Sequence, residues 1–436
     1  MRSRSLFGFD ILLFAATLAL MVVGVLFIYS SGTSSTGIVM SNEYIKQIVW
    51  VSVGLVILLT ILFTDYARIG EYSLYIYLAF VALLVGTLFF GRVVNGARSW
   101  IPLFGFGIQP SEFAKIGTVL YLARYFSTTR NSQSELKRFL IAFAIAAVPM
   151  LLVLGQPDMG TALVFLPILL VMSYIAGIRT RYLMYVLMTG ATLILLSVLP
   201  AWETYIAERE IGVVGLLTDQ NYALPGMIIM VVLIGLSALG YFILKRGYFY
   251  WLVYAFSSIS ISFLGSFFMR LGLRDYQIKR LIVFLDPGID PQGAGWNVIQ
   301  SVTAVGSGGF WGKGWLQGTQ SHYRYLPQQS TDFIFSIIAE EWGFLGGLVI
   351  FLLFLVILFR GLAIVLAAKD DYAANIAGGI VGMIGFHVFI NMGMAMGIMP
   401  ITGIPLFFLS YGGSSLLTGL IGIGLLLNIH IRRYHY

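Results

Sequence analysis

Residues 9–30 read FDILLFAATLALMVVGVLFIYS, with Asp10 the one charged side chain in the stretch. About 20 mostly apolar residues in a helix cross the hydrocarbon core of a bilayer. The run follows a short basic start, Met1 to Arg4. It is too long for the core of a signal peptide and lacks a small-residue cleavage site, so it reads as a retained first span. Similar segments recur along the chain. Twelve candidates fall at about 9–30, 46–64, 72–90, 110–126, 139–155, 158–177, 182–199, 225–244, 248–268, 334–359, 373–396 and 405–429. Those at 110–126 and 158–177 begin with charged or polar residues. Backbone groups in lipid must pair within their own segment, so each span is expected to be a helix.

Composition agrees. Of 436 residues, 59% are hydrophobic and 10% charged, against about 25% charged in a soluble domain. The expected fold class is therefore an all-α polytopic integral membrane protein of about 12 transmembrane helices. Without cysteine, disulfides and thiolate metal sites are excluded. The four histidines, His322, His387, His430 and His435, are too scattered to suggest a metal cage. The net charge of +7 does not indicate nucleic acid, because the Lys and Arg residues sort by membrane side. With the N-terminus cytoplasmic, Arg2, Arg4, Arg68, Arg124, Arg130, Lys137, Arg138, Arg179, Arg181, Lys245, Arg246, Arg360, Lys369, Arg432 and Arg433 all fall inside. An even span count puts the C-terminus inside as well.

This arrangement leaves a single long outer segment, about 270–332, far above the usual connection length of about 4–6 residues. Its aromatic residues, among them Trp296, Trp311 and Trp315, predict a packed structure. A second outer loop, about 91–109, contains Trp100, and a third, about 200–224, is acidic. The chain is expected to form one membrane domain over 1–436, with its chemistry carried by membrane helices and outer loops.

Polar residues accumulate in three places. The first is Asn95-Gly96-Ala97-Arg98-Ser99-Trp100-Ile101-Pro102, followed by Gln109-Pro110-Ser111-Glu112-Phe113-Ala114-Lys115. Pro110 suits the first position of a helix and Glu112 its first turn. Lys115, three residues on, shares a face with Glu112, as a local ion pair would. Lys115 also falls inside the membrane, where an ionisable group is costly and is a functional candidate. The second is Gln156-Pro157-Asp158-Met159-Gly160-Thr161, where Asp158 reads as a helix cap. The third runs from Gly306-Ser307-Gly308-Gly309-Phe310-Trp311-Gly312-Lys313-Gly314 to Thr331-Asp332-Phe333, with Glu340 and Glu341 beyond. Its glycines permit close backbone approach to a ligand, but they match no nucleotide-binding spacing. Asp332 sits where the long loop enters a span, either as a cap or as a functional group. The last spans add His387, Asn391 and Ser410-Tyr411-Gly412-Gly413-Ser414-Ser415, a stretch suited to close helix packing or to lining a substrate groove.

These stretches, with Gly-Ile-Pro-Leu-Phe-Phe-Leu at 403–409, occur in the order seen in the shape, elongation, division and sporulation family, which the chain closely resembles from about residue 91 to its end. Leu316-Gln317-Gly318-Thr319-Gln320-Ser321 is more similar to the RodA branch than to the FtsW branch. The resemblance implies a peptidoglycan glycosyltransferase of the bacterial plasma membrane. Such an enzyme joins units from lipid II into glycan strands during elongation, beside a class B penicillin-binding protein that crosslinks them. It implies an essential aspartate at Asp332, a lysine at Lys115, and the first motif's arginine and tryptophan at Arg98 and Trp100. The family usually has ten spans, so the pair at 225–268 reads as an addition.

On that reading the polyprenyl pyrophosphate is already an activated leaving group. Asp332 would take the proton of the attacking sugar hydroxyl as general base. A single inverting displacement needs no second carboxylate at glycosidase spacing. Cations must stabilise the pyrophosphate; the outer-facing candidates are Arg98, Lys115, Lys313 and Arg324, with Lys115 also a candidate partner for Asp332. Glu112 and Ser414 complete the candidate substrate site. A divalent cation, Mg or Mn, could share the task, although no ligand set stands out. Arg270, Arg274, Lys279 and Arg280 among Leu271, Leu273, Ile278, Leu281 and Ile282 suggest an interfacial amphipathic helix that touches membrane lipids. Two rival classes are a lipid-precursor flippase or other transporter, for which broken helices near Pro157 and Pro400 speak, and a non-catalytic scaffold for the crosslinking enzyme.

Overall fold

The computed structural model describes residues 8–94, 96–103, 106–207, 209, 212, 214, 220–272, 275–323 and 325–433. The helices in chain order are α1 (Ile11–Ser31), α2 (Glu43–Phe63), α3 (Tyr66–Glu71), α4 (Ser73–Phe90), α5 (Pro110–Thr129), α6 (Glu135–Gly155), α7 (Met159–Leu163), α8 (Phe165–Ile175) and α9 (Thr180–Trp202). They continue as α10 (Gln220–Leu244), α11 (Gly247–Gly272), α12 (Asp275–Leu285), α13 (Ala294–Ser307), α14 (Thr319–His322), α15 (Ile334–Leu366), α16 (Asp371–Ala395) and α17 (Gly413–Arg432). The chain is a multi-pass membrane protein. Among the described residues, ten helices are long and apolar enough to cross a bilayer.

The other two expected spans take different forms. Segment 110–126 lies within α5, which is long enough but carries Glu112, Lys115 and Arg124. Its polar inner residues are tolerated because Ser111, Glu112, Lys115 and Thr118 are all buried against protein. Segment 158–177 is split into α7 and α8 at Val164. The expected pair at 225–244 and 248–268 is found as parts of α10 and α11.

The chain divides into two compact units, residues 1–178 with 300–436, and residues 179–299. In the first, α17 is buried along most of its length and packs along α2. Glycine makes this approach possible: a β-carbon on Gly413 would stand 2.2 Å from the Trp50 indole. Helix α16 packs on α5, α8 and α15. In the second unit, α11 packs against both α9 and α10. Hydroxyl groups join α9 to α11: Thr189 Oγ1 and Ser258 Oγ are 2.8 Å apart, and Ser262 Oγ donates to Thr189 O at 2.8 Å. With no hydrophobic drive between helices in lipid, such bonds and close packing hold them.

The 91–109 loop departs from an all-helical reading. It forms a small antiparallel sheet of β1 (Arg92–Val94), β2 (Ala97–Leu103) and β3 (Phe106–Ile108) in that order. Val94 pairs with Ala97 and Arg92 with Trp100, with a bulge between Arg92 and Val93; Ile101 pairs with Ile108. Gly96 has φ 84°, as a tight hairpin turn requires.

The 270–332 segment is structured, as its aromatic content predicts. It contains α12, α13 and α14. Of the basic run, Arg270 closes α11 and donates to Ser266 O at 3.3 Å; Arg274 lies outside the described residues. Of the acidic loop, Glu208, Glu210 and Asp219 also lie outside them.

Helix α15 carries one interruption. Gly343 takes φ 65° and ψ −161°, which divides the helix into a short stub, 334–342, and a longer apolar arm. The glycine-rich motif wraps this break. Gly312 N donates to Gly308 O at 2.9 Å, and Lys313 N and Gly314 N donate to Glu340 O and Glu341 O at 3.0 and 2.9 Å. A β-carbon on Gly308 would stand 1.9 Å from Ala339 O, and one on Gly312 2.1 Å from Glu341 O. The close approach that these glycines allow is to the backbone of α15.

Candidate active site

Asp332 is half-buried and stands two residues before α15. The cap position belongs to Phe333, and no side chain caps the helix, so the cap reading of Asp332 is not realised. Its backbone is held from two sides. Asp332 N donates to Gln328 O at 3.1 Å, and Asn391 Nδ2 of α16 donates to Asp332 O at 2.8 Å. The same amide donates to Ile404 O at 2.8 Å. Asn391 thereby ties the entry of α15 to the 400–412 segment, which is joined again where Tyr411 N donates to Ser330 O at 2.8 Å. The carboxylate lies along this segment: a β-carbon on Gly403, which has φ 72°, would be 3.5 Å from Asp332 Oδ2.

Lys115 is completely buried one and a half turns into α5. The expected pair forms, with Lys115 Nζ 2.7 Å from Glu112 Oε1. The ammonium has a second partner. His387 Nε2 of α16 lies 3.1 Å from the same ammonium, and Phe407 lies under it, 5.6 Å from ring centroid to Nζ. Among the described residues the carboxylate paired with Lys115 is Glu112, three residues away on the same helix face. His387 and Asn391 were visible in sequence as polar residues of the last spans, without a role. Their spacing of four residues is the signal that places both on one helix face.

The remaining candidates occupy different settings. Arg98 is exposed on β2; its Nη1 donates to Leu88 O at 3.4 Å, and its backbone N donates to Gln156 O at 3.1 Å. Trp100 is half-buried with its indole across Gly107 of β3. Ser414 Oγ accepts from Gln109 N at 2.9 Å, which fixes the start of α5 from α17. Asp158 is a cap: its carboxylate accepts from Thr161 N at 3.1 Å and from Gln109 Nε2 at 2.7 Å. Gly160, in the first turn of α7, lies against Thr402 O, so this capped turn abuts the same 400–412 segment as Asp332.

Lys313 is tied into the outer loop. Its ammonium is 2.8 Å from the buried Glu340 Oε1 and 2.8 Å from Thr319 Oγ1. Glu340 also accepts from Thr319 N and Gln320 N at 2.7 and 2.9 Å, which anchors α14. Glu341 accepts from Ser30 Oγ and from Leu316 N, the latter at 3.0 Å, and faces His322 Nε2 at 3.6 Å. The Glu341 carboxylate raises the pKa of His322 above its ordinary value, against the opposing effect of burial. Arg324 lies outside the described residues.

The site is therefore a carboxylate at the mouth of α15 and a buried cation on α5, both tethered to neighbouring turns of α16. Several buried polar atoms around it, Glu112 Oε2, Ser111 Oγ, Asn391 Oδ1 and Thr402 Oγ1, have no partner among the described residues.

The FtsW, RodA and SpoVE cell cycle protein family matches residues 10–224 and 213–435. The chain belongs to this family. It is 48% identical over 439 aligned residues, 99% of this chain and 100% of the other, to the peptidoglycan glycosyltransferase RodA of Treponema pallidum (strain Nichols). It is 34% identical to the peptidoglycan glycosyltransferase MrdB of Escherichia coli (strain K12), over 95% of this chain and 92% of that one. A solved chain from a study of how a peptidoglycan synthase complex coordinates polymerization and crosslinking superposes with a TM-score of 0.66 at 28% identity, covering 98% of this chain and 99% of that chain. As a member of this family the chain is a SEDS protein.

Proposed function

We propose that this SEDS protein is a peptidoglycan glycosyltransferase that polymerises lipid II at the outer face of the bacterial plasma membrane during elongation. The observation that carries the reading is the common anchorage of Asp332 and Lys115: Asn391 holds the backbone of one and His387 the side chain of the other, a single turn apart on α16. Asp332 acts as the general base on the incoming sugar hydroxyl, and one displacement expels the polyprenyl pyrophosphate with inversion. Lys115 and the exposed Arg98 stabilise charge that develops on the pyrophosphate. Trp100, across the hairpin from Gly107, offers an apolar wall to the substrate. Lys313 and Ser414 support the site through Glu340 and Gln109. Arg324, outside the described residues, is proposed from sequence alone as a further cation for the pyrophosphate.

Among the described residues, no three metal-ligating side chains converge. A Mg or Mn ion therefore fits as one carried on the pyrophosphate, in the way magnesium is commonly bound through substrate phosphates. Both termini are taken as cytoplasmic, in line with the Lys and Arg distribution. A class B penicillin-binding protein is the expected partner, as for a polymerase that feeds a crosslinking enzyme.

The deciding experiment uses purified protein in detergent with fluorescent lipid II. Glycan product from the wild type and none from Asp332→Asn, with lipid II binding retained, is the expected result. Equal product from the variant would remove Asp332 as base. Lipid transfer across vesicles without polymer would replace the reading by a flippase, and no activity in either assay would leave the scaffold.

A further inference from the structure

The hydrogen bonds around His387 determine its tautomer. Nδ1 lies 2.9 Å from Pro405 O. A carbonyl only accepts, so Nδ1 carries a hydrogen. Nε2 faces the Lys115 ammonium at 3.1 Å, and an ammonium only donates, so Nε2 is bare and accepts. Both neighbours thus select the neutral Nδ1–H form. Phe407 stacks on the ring at 4.0 Å between centroids, and His387 is 1% exposed, so both nitrogens are shielded from bulk water. The charged group facing it is Lys115 from α5, which is paired in turn with Glu112.

An ammonium has three N–H bonds. Glu112 takes one and His387 another; among the described residues the third has no hydrogen-bond acceptor. We infer that His387 is a positioning residue for glycosyl transfer. By accepting from Lys115, it fixes the rotation of the ammonium and directs the third N–H to an oxygen of the donor pyrophosphate. Asn391 one turn along, donating to Asp332 O, sets the carboxylate in the same frame. The inference rests on the polymerase reading for its chemistry, whereas the tautomer rests on the geometry alone.

Glutamine reproduces the pattern, since its Oε1 can accept from Lys115 and its Nε2 can donate to Pro405 O. Leucine reproduces only bulk. In the lipid II assay, His387→Leu is expected to lower turnover about 100-fold, the scale for loss of one preorganised charge-stabilising contact, with lipid II affinity within threefold. His387→Gln should recover most of that loss. Histidine-selective 15N NMR, compared between wild type and His387→Gln, should show a protonated Nδ1 and an unprotonated Nε2 for His387. Full turnover in His387→Leu, or equal losses in the Leu and Gln variants, would overturn the positioning role. An imidazolium, or a protonated Nε2, would overturn the tautomer. If the wild type makes no glycan, the polymerase reading fails while the NMR result still judges the tautomer.

Discussion

His387 and Asn391 stand one turn apart on α16, and together they join the buried cation of α5 to the entry of α15. Neither residue needs to touch a substrate to matter. Each satisfies polar groups that would otherwise be stranded inside protein, and each does so across a long separation in sequence.

The Glu112–Lys115 pair is almost fully enclosed, at 2% and 0% exposure. Removing one member leaves the other charge buried and unpaired, which costs roughly 3–5 kcal/mol. Glu112→Gln is expected to lower the melting temperature in detergent, while Glu112→Leu with Lys115→Met should restore it without restoring polymer synthesis. Thermal unfolding followed by tryptophan fluorescence measures the first effect and the lipid II assay the second.

Gly308 and Gly312 should not accept alanine. The added carbon would meet the Ala339 or Glu341 carbonyl, and Gly312 has φ 81° besides. Both variants are expected to lose most folded protein in detergent extracts. Gly306→Ala is the control: nothing lies within 4 Å of its β-carbon, and it sits in α13. A helical alanine there should be neutral or stabilising by about 0.5–1 kcal/mol.

Lys313 separates support from substrate contact. Its loss leaves buried Glu340 with its backbone donors but without its cation. Lys313→Met should destabilise the protein by about 2 kcal/mol, the scale of a hydrogen bond to a charged group. A supporting role moves the melting temperature and leaves the lipid II concentration dependence alone. A raised KM with unchanged melting would assign Lys313 to the substrate instead.

His322 makes stability depend on pH. The Glu341 carboxylate favours its protonated form in the folded state, with Glu340 adding to the effect. A histidine whose pKa is raised on folding contributes fully below its unfolded value, about 6.5, and loses that contribution as pH climbs through the folded value. The melting temperature should therefore fall as pH rises from 6 toward 8. His322→Gln should flatten that slope; an unchanged slope would place the dependence elsewhere.

Local rules carried a sequence reading far in this molecule. Apolar length located the spans, three-residue spacing paired Glu112 with Lys115, and Asp158 before Met159 announced a cap. Asn95-Gly96 after Val93 and Val94 is a hairpin signal in the sequence, set among apolar helical segments. The bonds of His387 and the wrapping of Gly308 and Gly312 around α15 join residues distant in sequence, and no periodicity encodes them. The glycines read equally well as a ligand cradle until Ala339 and Glu341 are seen to fill it.

The interruption at Gly343 has a mechanical consequence. At 1.5 Å per residue, all of α15 would span about 50 Å, well beyond a hydrocarbon layer of about 30 Å. The arm beyond Gly343 alone matches that thickness, so bilayer thinning or tilt acts on the arm. The stub leading to Asp332 is held instead by the backbone N–H groups of Lys313 and Gly314 and by Asn391. A membrane of changing thickness can rock one half of this helix while the Asp332 carboxylate keeps its height.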